Sequence, residues 1–92
     1  MILSIRHKGL ERFFRTGSVA GIQAKHVKRL RLLLAQLDRA ARVSDMDLPS
    51  LALHALKGDR KGTWSVTAQA NWRMTFRFDQ GNAEVVNYED YH

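Results

Sequence analysis

The stretch WRMTFRF, residues 72–78, alternates large apolar side chains with polar ones. A period of two is typical of a β-strand that buries one face and exposes the other. It predicts that Arg73, Thr75 and Arg77 share an outer face. The preceding run WSVTAQ, residues 64–69, repeats the pattern. Side by side, the two strands predict a sheet with an apolar inner face and a basic, hydroxyl-rich outer face.

Elements that can cover the inner face precede these strands. Residues 1–5 are apolar enough for a short edge strand. Apolar residues at positions 10, 13 and 14 lie on one side of a predicted helix, which Gly17 can end because glycine accepts the left-handed conformation. The clearest helix is predicted at residues 23–41, where an apolar stripe opposes a basic side. Leu32 falls among the polar positions and is expected to be exposed.

Further strands and turns complete the predicted architecture. Residues 51–56 and 83–91 are predicted strands, residues 57–62 form a glycine-bounded loop, and residues 79–82 form a hairpin turn. The order of elements predicts a single α+β domain over residues 1–92. In this domain, a short N-terminal strand and two helices pack on one face of a mainly antiparallel sheet.

Composition narrows the class of protein. The 92 residues include no cysteine, which excludes a disulfide framework and thiolate metal sites. The longest clean apolar run, residues 32–35, is far shorter than the roughly 20 residues of a membrane span. Residues 1–5 are too few for the apolar core of a signal peptide. We therefore expect a cytoplasmic protein without a membrane partner.

The positive charge is concentrated in the first half of the chain. Residues 1–42 hold ten lysines or arginines against two acidic residues, whereas residues 43–92 hold five against seven. A basic half of this kind is typical of proteins that bind phosphate groups or an acidic protein. The alternative is a cationic surface that only keeps the protein soluble.

Four side chains of the predicted sheet region have the chemistry for metal-independent RNA cleavage. Lys57 and Arg73 can hold anionic phosphate oxygens, and His54 and His92 supply imidazoles, a group that can accept and donate protons in catalysis. The alternative is that residues 57–61 form a solvated loop and that His92 is a frayed terminus. In a regular strand, moreover, His54 and Lys57 face opposite sides.

The remaining sequence adds no other catalytic motif. It contains no phosphate-binding glycine loop, no paired zinc ligands and no Ser-His-Asp arrangement, and we expect no cofactor. His7 and His26 lie in cationic, helical surroundings and are predicted to be surface residues.

Several segments resemble the HigB toxins of the RelE/ParE toxin superfamily. The resemblance covers nearly the whole chain and is carried by LHALKGDR at residues 53–60, GTWSV at 62–66, NWRMTF at 71–76 and NYEDYH at 87–92. Ala55 stands where we expect a proline in this family. This departure loosens the approach to Lys57 but removes no chemical group.

The resemblance implies a RelE-like fold and a ribosome-dependent mRNA endonuclease that cuts codons in the ribosomal A site. It also implies a neighbouring helix-turn-helix antitoxin, which neutralises the toxin and brings it to operator DNA. Mapped onto this sequence, it predicts an active surface in which Lys57 and Arg73 hold the phosphate and His92 carries a proton. The same surface would contain His54, Asp90 and Tyr91. We predict that RNA is contacted by Asn71, Arg60, Lys61 and Arg77.

Two other functions remain compatible with the residues. A toxin that inhibits gyrase without enzymatic activity, as in the ParE branch, can use the same fold, because a fold does not determine a function. A simple basic module that binds RNA or DNA is the third possibility. A gyrase inhibitor would not need the group formed by Lys57, Arg73 and His92. In a simple binding module, changing these residues would weaken binding, and there would be no cleavage activity to abolish.

Overall fold

The computed structural model describes residues 1–90, which form two helices and a four-stranded sheet. The helices are α1 at Lys8–Thr16 and α2 at Val27–Arg39, and the strands are β1 at His54–Ala55, β2 at Thr63–Gln69, β3 at Trp72–Asp79 and β4 at Asn82–Asp90. Short 3₁₀ turns lie at Ala24–His26, Val43–Met46 and Gly58–Arg60. Within the described residues, no helix is long and apolar enough to cross a membrane.

The strands form one antiparallel meander in the order β1-β2-β3-β4. The N-terminal residues lie against the outer edge of β4 and run parallel to it, with Ile2 bridging to Ala83 and Ile5 to Val86. The predicted edge strand is therefore present as two isolated bridges. The hairpin turn between β3 and β4 is also confirmed, since Gln80 and Gly81 have the positive φ angles that a tight turn requires.

Both helices cover the same face of the sheet, as the alternation in the sequence predicts. Leu10, Leu30 and Leu37 have no exposed surface, and they belong to one core cluster with Phe76 and Val86 of the inner face. Burying each such side chain contributes about 1.5–3 kcal/mol relative to leaving it exposed. The predicted α+β architecture is confirmed, and the opposite face of the sheet carries the polar side chains.

Three details of the predicted elements are wrong. The long helix covers only Val27–Arg39, because residues 24–26 form a 3₁₀ turn and Ala40 is already extended, so that Ala41 is exposed. The strand predicted at 51–56 is reduced to β1, since Ala52 has a positive φ of 51° that interrupts extended backbone. Ser65 and Thr75 lie on the outer face, yet both are buried.

His26 is completely buried, in contrast to the predicted surface position. The 3₁₀ turn before α2 directs its ring inward, where Nδ1 shares a short hydrogen bond with the hydroxyl of Tyr88 and the ring lies 5.5 Å from that of Trp72. His7 is half-buried: its Nδ1 accepts the amide of Leu10 at 3.0 Å and caps α1. Both imidazoles therefore have structural roles, near the end of the sheet where β4 ends.

The free energy of unfolding should fall as the pH is lowered below 6.5, because of His26. Burial, followed by the charge of Lys25, lowers the pKa of His26 below its usual 6.5. The unfolded chain therefore binds the proton more readily than the native one, and stability is lost as the pH falls through the native pKa. Urea unfolding at pH 7.5, 6.0 and 5.0 should show the free energy of unfolding decreasing as the pH falls. His26→Asn should make this dependence on pH weaker. Equal slopes in the two proteins would contradict this role.

Candidate functional site

The outer face of the sheet, which the helices leave uncovered, carries two rows of polar residues. One row crosses all four strands, because His54 lies opposite Ser65, Ser65 opposite Thr75, and Thr75 opposite Asn87. The second row is formed by Thr67, Arg73 and Glu89. Antiparallel pairing therefore brings residues from the predicted site segments to one surface.

An ion pair lies across the first row and explains why its centre is buried. Arg60 comes from the 3₁₀ turn before β2, and its two terminal nitrogens donate to the carboxylate of Glu89 at 3.0 and 2.6 Å. Thr75 donates to the same carboxylate at 2.6 Å. Ser65 is also fully buried, and within residues 1–90 its hydroxyl has no hydrogen-bond partner. This bridge connects the loop to β4 over the middle of the sheet.

Glu89 is a residue of this surface that the sequence analysis missed. The Arg60 guanidinium holds the pKa of Glu89 below its usual 4.5, outweighing burial, and the Thr75 hydroxyl adds to the effect. Glu89 is therefore ionised at neutral pH and acts as an anchor for Arg60 rather than as a proton acceptor. In the sequence Glu89 is an acid within NYEDYH on the predicted last strand, and its position directly opposite Arg73 follows only from the register of the strands.

Arg73 lies at the end of the outer face that is formed by the turn between β2 and β3. Its Nη1 donates to the carbonyl oxygens of Ala70 and Trp72, which fixes the guanidinium beside this turn. Asn71 is exposed in the same turn. β4 ends at Asp90, directly opposite Trp72, and the exposed Asp90 is thus one residue pair away from Arg73. Tyr91 and His92 lie outside the described residues.

His54 is placed on the outer face with a defined tautomer. Its Nδ1 lies 3.1 Å from the carbonyl oxygen of Ala52. Because a carbonyl can only accept, this bond requires the proton on Nδ1 and leaves the lone pair of the neutral ring on Nε2. The ring is exposed to solvent at the edge of the sheet. His54 can therefore accept a proton through Nε2 from a molecule bound to this face.

The other basic residues of the predicted site lie toward the opposite end of the face. Leu56 donates its amide to Thr63, which is paired with Arg77, so Lys57 follows at the Arg77 end of the sheet. Lys61 is exposed in the same loop. Arg73 and Arg77 are four residues apart on one strand, about 13 Å at the usual rise per residue. Along the strands, Arg73 and Asp90 thus lie toward one end of the sheet, and Lys57 and Arg77 toward the other. Asp90 is paired with Trp72, which packs against the core, and not with a residue of the outer face.

This surface has no arrangement typical of a metal centre. Within residues 1–90 there is no cluster of three or more histidine, aspartate or glutamate side chains that could hold a metal ion. What the surface offers instead is a set of fixed cationic groups, hydroxyls and an imidazole. These groups bind anions and transfer protons.

A second basic surface lies on the other side of the molecule. Lys25, Lys28 and Arg29 surround a groove of about 400 Å³ between α2 and the end of β2, together with the exposed Leu32. The exposure predicted for Leu32 is confirmed. This groove belongs to the helical layer and is separate from the outer face of the sheet.

Comparison with known proteins identifies the family. The family model that matches is that of the HigB-like toxins, described as RelE-like toxins of type II toxin–antitoxin systems, and it covers residues 3–92. The chain is 46% identical over 92 residues to Endoribonuclease HigB of Proteus vulgaris, and the match covers all of both chains.

Solved structures agree on the fold. The toxin in the YoeB–YefM complex of Staphylococcus aureus matches with a TM-score of 0.66 at 18% identity, covering 100% of this chain and 95% of that one. The YoeB/ParE toxin of Agrobacterium tumefaciens matches with a TM-score of 0.63 at 21% identity, covering 100% of both. At these identities the likeness concerns the fold alone, and it confirms the predicted RelE-like architecture. With a family model that matches nearly every residue, the chain belongs to the HigB-like family of RelE-like toxins of type II toxin–antitoxin systems.

Proposed function

We propose that this chain is an endoribonuclease that cleaves mRNA in the A site of translating ribosomes and so inhibits translation in the cytoplasm. The observation that carries the proposal is the full-length identity of 46% to a protein named as an endoribonuclease. This relative favours RNA cleavage over inhibition of gyrase. The cationic and imidazole groups of the outer face supply chemistry of the kind that such a cleavage requires.

Cleavage would proceed by attack of the substrate's own 2′-hydroxyl on the adjacent phosphorus. The hydroxyl loses its proton as the new bond forms, the phosphorane gathers negative charge, and the 5′-oxygen leaves with a proton. Arg73 would stabilise the charge on the phosphorane oxygens, with Lys57 reaching the phosphate from the other end of the face. His92 would carry a proton, and a metal ion would not be needed.

The remaining predicted residues would align these groups with the substrate. Asp90 and Tyr91 would orient the RNA or His92, and the exposed Asn71 in the turn beside Arg73 would contact a base. His54, whose Nε2 carries the lone pair, would support proton transfer or orient the substrate. Arg60, Lys61 and Arg77 would hold the flanking RNA backbone.

The ribosome would supply the alignment of the RNA that this small surface lacks. Holding reacting groups in line is worth up to about 7–11 kcal/mol of barrier, so a weak free nuclease becomes effective on a bound message. The groove between α2 and β2, with Lys25, Lys28 and Arg29 around it, would meet ribosomal RNA through its phosphates.

The partner that restrains the toxin would be a helix-turn-helix antitoxin of the HigA type. Membership of a type II toxin–antitoxin family supports an antitoxin partner, and a toxin of the same fold has been solved as the YoeB–YefM complex. In this proposal the toxin reaches operator DNA only through its complex with the antitoxin.

Mapping of RNA 5′ ends in cells after brief induction of the toxin tests the proposed function. We expect new ends within translated regions, in phase with the reading frame, whereas untranslated RNAs stay intact. The same cuts should appear when purified toxin is added to ribosomes programmed with one message, and they should be absent on the naked message. Intact mRNA together with trapped DNA breaks would favour gyrase inhibition instead.

A further inference from the structure

A recess of about 240 Å³ on the outer face is lined by three arginines that come from three separate segments of the chain. Its walls include Arg6, Arg60 and Arg77, and Asp59, Thr63, Thr75 and Asn87 are among the other residues that line it. We propose that this recess binds one phosphodiester of the mRNA strand that flanks the cleavage site. The proposal rests on the proposed function, and it assigns a second phosphate site at the end of the face remote from Arg73.

Gly62 has no side chain, and this allows the guanidinium of Arg77 to lie against the backbone of the loop. A carbon at the Cβ position of residue 62 would lie 2.9 Å from Nη2 and 3.3 Å from Cζ of Arg77, so the guanidinium rests directly against this backbone. The φ angle of Gly62, +93°, is also one that other residues rarely adopt. Arg77 is exposed, and it lines the wall of the recess.

Arg6 reaches the recess from the opposite side, across the edge of β4. Its amide donates to the carbonyl of Val86 at 2.7 Å, and Ile5 bridges to the same residue. The backbone of Arg6 is thereby fixed to the sheet, while its side chain is exposed. Two arginines whose backbones belong to independent elements on both sides of a recess can bind one anion from both sides.

The balance of charge in the recess favours an anion with a single negative charge. Among the residues that line the recess, Arg60 is paired with Glu89, which leaves the charges of Arg6 and Arg77 set against that of Asp59. Glu84, opposite Arg77 on β4, is outside this lining. A phosphodiester carries one charge, whereas a phosphate monoester or free phosphate approaches two at neutral pH. The hydroxyl of Thr63 and the side-chain amide of Asn87 add donors of the kind that phosphate oxygens accept.

The position of the recess suits a strand that also passes Arg73. Arg73 and Arg77 lie on the same face of β3, about 13 Å apart along the strand. An RNA strand that follows the outer face from Arg73 would reach the recess where Thr75 and Asn87, the β3 and β4 members of the row that begins at His54, form part of its lining. The recess would therefore hold the message in register without touching the bond that breaks.

Binding of a short RNA whose 2′-hydroxyls are methylated, and which cannot be cleaved, tests the recess without catalysis. Its affinity should be measured between 50 and 200 mM salt, by fluorescence anisotropy, for the wild type and for Arg6→Gln combined with Arg77→Gln. We expect the double variant to bind about tenfold or more weakly, with a salt slope lower by about 0.7, the value for one phosphate of a single strand. Arg12→Gln, an exposed change on α1 that removes one charge away from the recess, is the control.

Unchanged affinity and slope in the double variant, or an equal loss in Arg12→Gln, would overturn the proposal. At constant ionic strength, inorganic phosphate should compete only weakly with the RNA for the recess. If phosphate displaced the RNA at a concentration equal to that of the RNA phosphates, the recess would be a general anion site and the proposal would be wrong. Failure of the proposed function is a separate result: wild-type protein that binds this RNA through Arg6 and Arg77 but does not cut messages on ribosomes.

Whether the phosphodiester belongs to mRNA or to ribosomal RNA can be tested with a probe at one position. A single introduced cysteine would be the only attachment point, because the chain contains no cysteine of its own. An iron chelate attached to Thr63→Cys should generate hydroxyl radicals at the recess on ribosomes that carry an uncleavable message. We expect strand breaks in the mRNA within a few nucleotides of the A-site codon. Breaks confined to ribosomal RNA would overturn the assignment to mRNA.

Discussion

Replacing Arg73 by glutamine should reduce the rate of mRNA cleavage on ribosomes about 10²- to 10³-fold, the usual cost of removing one donor to a developing oxyanion. Glutamine keeps a polar side chain but lacks the charge and the planar fork of the guanidinium. The fold should be retained, because within residues 1–90 the side chain of Arg73 bonds only to carbonyl groups of the adjacent turn, at Ala70 and Trp72. Single-turnover cleavage of one message on purified ribosomes measures the effect.

Two further arginine variants test whether the loss of cleavage is specific to the guanidinium of Arg73. Arg39→Gln changes an exposed arginine at the end of α2, where its Nη2 makes one long bond to Gln36, and it should cut at the wild-type rate. Arg73→Lys should recover part of the loss, since it restores the charge without the fork. If Arg73→Gln cut as fast as the wild type, the phosphate would not be held at this end of the sheet.

Changing His92 to glutamine should lower the cleavage rate about 10²- to 10⁴-fold, the range expected when a positioned proton carrier is lost. The role of His92 comes from the family resemblance, and β4 ends at Asp90 beside the strand that carries Arg73. Thermal unfolding should be nearly unchanged, which separates loss of chemistry from loss of structure. The rate is best followed over a range of pH, because removal of a proton carrier should flatten one limb of the profile.

A chemically altered message identifies which proton His92 moves. If the 5′-oxygen that leaves is replaced by sulfur, the leaving group no longer needs a proton. His92→Gln should then cut the sulfur-containing RNA at nearly the wild-type rate if the residue is the general acid. A loss of the same size on both RNAs would instead make His92 the general base. Wild-type rates on the unmodified message would remove His92 from the mechanism.

The architecture could be predicted from local patterns, because they report on which side of each element is buried. The alternation in residues 72–78 and the leucine stripe of α2 both reflect contact with one core, and both predictions are confirmed. The glycine at position 17 ends α1 in the left-handed conformation, as predicted. Periodicity is informative here because burial of one face is what stabilises these elements.

Such local patterns could not predict contacts between segments that are distant in the sequence. Nothing near His26 in the sequence shows that Tyr88, 62 positions later, occupies the same buried space. The pairing of Arg60 with Glu89 likewise joins a loop to the last strand. Residue types could nominate groups for the site, but only the register of the strands shows that Lys57 lies toward Arg77 and Asp90 toward Arg73.

The parallel docking of the first residues along β4 has a consequence for when the molecule can become active. The bridges from Ile2 to Ala83 and from Ile5 to Val86 join the start of the chain to its last strand. Contacts of such long sequence separation form late, because a loop of nearly the full length must close first. A nascent chain therefore lacks its finished sheet until β4 has been made, and any activity that depends on the assembled outer face begins only after that point.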